Sequence, residues 1–194
     1  MTEPIAVDRR TGAAAAIAGV LLFASVAAEL VWSGQRPDGT VTSTSGLVLE
    51  VCAWTAGAAA LTVALLGMRP VAVSRAGAAG RRISVVGAGL LTVFGVVVLM
   101  TALASGVPWE TSFLLFGVGF LLLAGGAVPL ALGLRRSGAL GSWWIAVLVA
   151  GAGAVVALLA SADPWHDLGL FVFDAAWFAL GLRVLAAERA SVPA

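Results

Sequence analysis

The stretch LASADPWHDLGLFVFDAAW, Leu159 to Trp177, holds the chain's only histidine, His166, and three of its ten acidic residues, Asp163, Asp167 and Asp174. Asp163, His166 and Asp167 supply one imidazole and two carboxylates, a donor set that in kind suits zinc or manganese. The same residues also read as a helix start. An aspartate accepts at the N-cap, proline follows at the first helical position without losing a hydrogen bond, and His166 falls at the third. Capping is the simpler reading, because nothing in the spacing singles out a metal, and no cofactor is expected.

Asp174 resists that account. It stands in the middle of an apolar run, seven residues past Asp167 and so about 10 Å deeper along a helix. A carboxylate near a bilayer centre costs on the order of 2.5–3.5 kcal/mol, which makes such a residue a functional-site candidate. Glu29 and Glu50 lie one turn inside apolar stretches of their own. Each of the three acids has a tryptophan one turn away on the same face: Trp32 for Glu29, Trp54 for Glu50, Trp177 for Asp174. The indole N–H can donate to a carboxylate. If the three acids converge, they can bind a cation or an amine with help from the tryptophan faces, or act as protonated acids. If they do not, each is solvated alone at the rim. The expected ligand-binding set is therefore Asp174, Glu29, Glu50, Trp54, Trp177 and Trp32. If the protein is an enzyme, Asp174, Glu29 and Glu50 are its catalytic set. Arg36 is the one cation placed near them; Arg183, nine residues beyond Asp174, would snorkel to an interface.

The elements that must position these residues are set by composition. Hydrophobic residues make up 61% of the 194, charged residues 11%, and the mean hydropathy is +1.06. A soluble domain carries roughly a quarter charged residues, so this surface faces lipid. A helix crossing a bilayer needs about 20 apolar residues. Six stretches qualify: Gly12–Trp32, Gly46–Met68, Ile83–Ser105, Ser112–Leu134, Ser142–Ser161 and Leu168–Ala187. Alternating strand patterns are lacking, which argues against a β-barrel. The first stretch follows Arg9-Arg10 but is long for a signal peptide and is followed by more membrane, so it reads as a retained helix. The expected fold is all-α: one transmembrane domain of six helices in three hairpins. The third, fourth and fifth helices carry no charge between their expected ends.

Every basic residue is an arginine, and ten of the eleven fall on one side when the loops alternate, with Arg36 the exception. Positive residues stay cytoplasmic, so both termini are expected inside a plasma membrane. Trp32, Trp109 and Trp165 would mark the outer interface, and Trp143 and Trp144 the inner one. Seven of the ten acids would lie in the outer half. A formal charge of +1 without a basic patch gives no sign of a nucleic-acid partner, and the single cysteine, Cys52, allows no internal disulfide.

LASGVPWETSFLLF from Leu103 and LASADPWHDLGLFV from Leu159 share Leu-Ala-Ser, Pro-Trp and a following Leu at an offset of 56 residues. The third and fourth helices, and the fifth and sixth, thus read as duplicated hairpins in parallel orientation. Paired hairpins with small outer loops resemble the acid-resistance membrane proteins of the HdeD type and small actinobacterial polytopic membrane proteins. That resemblance implies a hairpin architecture over the last four helices. The segments AAELVWSG and VFDAAWFAL, each a carboxylate with tryptophan three residues later, resemble the acidic positions of small membrane-bound terpene cyclases. That likeness implies one acid in an early helix and one in the last.

Stripes of small residues, Ala56, Ala60 and Ala64, and then Ala146, Ala150, Ala154 and Ala157, are expected at helix contacts, with Gly87, Gly117, Gly125 and Gly133 as points of close approach. Three functions remain open. One is a binding or transport protein with an outward-facing acidic and tryptophan-lined pocket for a small molecule or cation; a carrier of six helices would be expected to form a homodimer. The second is an integral-membrane acid–base enzyme on a lipid-like or isoprenoid substrate. The third is a membrane scaffold. Motifs for serine hydrolases, metalloproteases and phosphate-binding loops do not occur.

Overall fold

A computed structural model describes residues 7–32, 44–105, 113–138, 140–160 and 165–191; for Trp32, Thr44, Ala102, Ser105 and 188–191 it describes the backbone alone. The described residues form six helices: α1 Arg9–Trp32, α2 Thr44–Gly67, α3 Arg75–Ser105, α4 Phe113–Ser137, α5 Trp144–Leu159 and α6 Trp165–Ser191. Five of them contain a span long and apolar enough to cross a membrane, and α5 reaches that length together with the preceding turn, as Gly141–Leu159.

Helix ends follow local chemistry. Asp8 opens α1: its side chain accepts from the Arg10 N–H at 3.3 Å, and its carbonyl accepts from the Thr11 and Gly12 amides. Ser74 caps α3 through its hydroxyl, which accepts from the Gly77 N–H at 2.9 Å. With that cap, α3 begins at Arg75 rather than at Ile83. Arg75, Arg81 and Arg82 therefore lie inside the helix, ahead of the stretch Ile83–Ser105, which itself carries no charged residue. The α4–α5 connection turns through Gly138 and Gly141, both at positive φ (67° and 57°), where residues with a Cβ are disfavoured. A single 3₁₀ turn, Gly141–Trp143, then leads into α5.

Each helix packs against its neighbours in the chain, and α6 returns to pack against α1, closing a ring. The closing seam is made by glycines. A Cβ on Gly19 would lie 2.6 Å from both the Asp174 carbonyl oxygen and the Phe178 nitrogen, and one on Gly181 would collide with the Ala16 backbone. The α5–α6 and α3–α4 contacts are similar: Gly153 lies against the Gly169 carbonyl and Gly87 against that of Gly119. Close backbone approach is what holds helices together in lipid, where burial of apolar surface against apolar solvent contributes little.

Part of the expected small-residue pattern is displaced. Ala150, Ala154 and Ala157 are buried, and Gly87 and Gly133 make close contacts. Ala56, however, is exposed and Ala60 only half-buried; α2 turns Trp54, Ala58, Leu61 and Leu65 inward instead. Gly117 and Gly125 meet nothing within 4 Å.

Candidate functional site

Antiparallel register brings the polar residues of three helices to one level. Gly57 packs on Leu22 and Gly67 on Thr11, which sets Glu29 of α1 opposite Glu50 of α2. Gly19 packs at Asp174 and Phe178, and Phe23 meets Phe171 with ring centroids 5.0 Å apart. That second register carries Glu29 to the level of His166 on α6. All three residues line one cavity of about 220 Å³, at the end of the ring opposite the described arginines.

Its walls are aromatic. Trp54 of α2, Phe94 of α3, and Phe113 and Phe116 of α4 line it. Phe94 lies 5.4 Å from Phe116 and 5.7 Å from Phe113, centroid to centroid. Trp54 lies 5.6 Å from Phe116. Ser25 and Leu170 also face the cavity. The bundle is closed beneath it. Trp54 packs on Phe120 at 6.0 Å, and Phe120 on Phe173 at 5.4 Å. Phe120, Phe173, Leu22, Leu61 and Leu91 are almost wholly buried around that column.

His166 belongs to this wall. Its Nδ1 lies 2.7 Å from the Ala157 carbonyl oxygen. A carbonyl only accepts, so Nδ1 carries the donated hydrogen. Ala157 is in the last turn of α5, whose final carbonyls have no partner within the helix. His166 therefore closes the C-terminus of the preceding helix, rather than only occupying the third position of its own. Its ring also faces Phe116 at 6.1 Å.

The expected set divides. Glu29, Glu50 and Trp54 share the cavity. Asp174 does not line it: it sits one turn below Leu170 on α6, 2% exposed, at the α1 seam. Trp177 is also outside the lining, meeting Phe173 edge-on with centroids 6.4 Å apart. The side chain of Trp32 and the whole of Asp163 lie outside the described residues, as do Arg36, Trp109 and Glu110. The expected indole-to-carboxylate bonds of Trp54 and Trp177 are not formed. Trp54 Nε1, Trp177 Nε1 and Asp174 Oδ2 are all buried without a hydrogen-bond partner among the described residues. Ring packing decides this: each indole is aligned by the phenylalanines around it rather than by the acid one turn away. Asp167 is half-buried and takes part in a polar interaction. Among the described residues, no three acidic, histidine or cysteine side chains are placed to hold a metal ion.

No match decides the family. No protein-family model matches the chain, and comparisons with curated proteins and with solved structures find no similar protein. The site's chemistry must therefore be read from its own residues. Phe94, Phe113, Phe116 and Ser25 form no motif in the sequence. Their only signal there is position, near the same end of their helices as Glu29 and Glu50.

Proposed function

We propose that this chain is a multi-pass plasma-membrane protein that captures a small organic cation in an outward-facing cavity. The observation that carries the reading is the meeting of Glu29 and Glu50 from separate helices in one aromatic-walled space. Two carboxylates supply the charge that selects a cation. Trp54, Phe94, Phe113 and Phe116 supply ring faces that attract one after it has left water. A cavity of about 220 Å³ lies below the usual range of roughly 300–1,000 Å³ for drug-sized ligands, so the ligand is small. The outward orientation rests on the arginines: Arg9, Arg10, Arg69, Arg75, Arg135, Arg136 and Arg183 all sit at or near the opposite end.

The packed column of Phe120 and Phe173 beneath the cavity supports capture rather than passage in this conformation. The terpene-cyclase-like alternative draws support from the same aromatic walls, which could stabilise a carbocation. It is the weaker reading, because its expected acid, Asp174, is not among the residues that line the cavity.

The test is calorimetric titration of the full-length protein in detergent with butylammonium, butyltrimethylammonium and the neutral 1-pentanol. Saturable binding of at least one cation is expected, with no saturable binding of the alcohol. Glu50→Gln should weaken cation binding by about tenfold or more, since a charge-assisted contact is removed. Equal binding of the alcohol, or no binding by either cation, would overturn the proposal.

A further inference from the structure

Building on that cation reading, the geometry points to a narrower ligand class: a primary or secondary ammonium, held through its N–H groups and read by His166, in preference to a quaternary one. A quaternary ammonium has no hydrogen to donate and would be held by charge and ring faces alone. The cavity offers more than that. Because the Ala157 carbonyl takes the Nδ1 hydrogen at 2.7 Å, the one remaining ring nitrogen, Nε2, is an acceptor in the neutral imidazole. His166 lines the cavity at the level of Glu29 and Glu50, so acceptor-bearing side chains reach it from α1, α2 and α6. An R–NH₃⁺ group carries three donors, one for each of three such helices.

Glu29 and Glu50 already take part in other interactions. A carboxylate has about four acceptor positions, so each can add a ligand hydrogen. Trp54, whose ring forms part of the wall, is only 8% exposed, and its Nε1–H has no acceptor among the described residues. The fixed tautomer makes His166 the specificity-determining residue. It is held by the end of α5, a helix that contributes nothing else to the lining.

The experiment is a methylation series at constant chain length: butylammonium, butyldimethylammonium and butyltrimethylammonium, each titrated against the full-length protein and against His166→Phe. Affinity should fall stepwise, with the primary ammonium binding about tenfold or more tighter than the quaternary. His166→Phe should remove most of that preference, bringing the primary-to-quaternary affinity ratio to within about twofold of one. If the quaternary ion binds as tightly as the primary one, the inference is overturned while the cation reading stands. If neither binds, the cation reading itself falls. Should the variant not fold, the wild-type series still decides.

Discussion

A carboxyl group that is 2% exposed, with one oxygen lacking any hydrogen-bond partner among the described residues, weighs against stability. Asp174 is such a group, and it lies outside the cavity. Asp174→Leu should therefore be tolerated. Each kcal/mol of relieved penalty would raise the melting temperature by roughly 2–4 °C for a chain of this size, read by thermal unfolding in detergent. Cation affinity should stay within about twofold, as for separated sites. A large loss of binding in this variant would mean that the ligand reaches Asp174 and that the cavity is deeper than the packed column of Phe120 and Phe173 allows. Glu29, Glu50 and Trp54 were readable in advance as chemically unusual residues in apolar stretches. His166 was readable only as a cap or a metal donor. Its bond to Ala157 crosses between two helices, and nothing local in DPWHD encodes the partner.

Between elements, the ring depends on where glycines let backbones meet. Gly19→Ala places a methyl group against the α6 backbone, 2.6 Å from atoms that cannot turn aside. It should cost about 1–3 kcal/mol by overpacking. Gly117→Ala and Gly89→Ala add a methyl group where nothing lies within 4 Å, and each should stabilise its helix by roughly 0.5–1 kcal/mol. Melting temperatures of the three variants test the assignment, and a stable Gly19→Ala protein would place the α1–α6 seam elsewhere. The existence of each helix was legible from its apolar length, but its inward face was not. A helix in lipid is apolar on both sides, so hydrophobicity does not distinguish core from surface. That is why Ala56 and Ala60 look like contact residues beside Ala64 although Trp54, Ala58 and Leu61 face the core. The start of α3 was missed for a different reason. Hydropathy measures where lipid begins, whereas the Ser74 cap sets where the helix begins, two turns earlier.

For the molecule as a whole, the arginine asymmetry makes a topological prediction. In a Cys52→Ala background, Ser45→Cys at the cavity end should react with a membrane-impermeant maleimide in intact cells. Ser142→Cys at the arginine end should react only after the membrane is opened. Both serines are exposed, so burial does not confound the comparison, and the reverse labelling would place the cavity on the cytoplasmic side.

An all-helical chain with six membrane-length spans is legible from the residues alone, because apolar length and uncharged runs are properties of single segments. The sequence also marked three acids as costly in that setting. Which acids meet was decided only by tertiary structure. Glu29 and Glu50 come together, and Asp174 stays apart, through the antiparallel registers set by Gly57 on Leu22 and Gly19 on α6. Those registers depend on contacts between helices far apart in the chain, and a one-turn slip in either would carry a carboxylate out of the cavity.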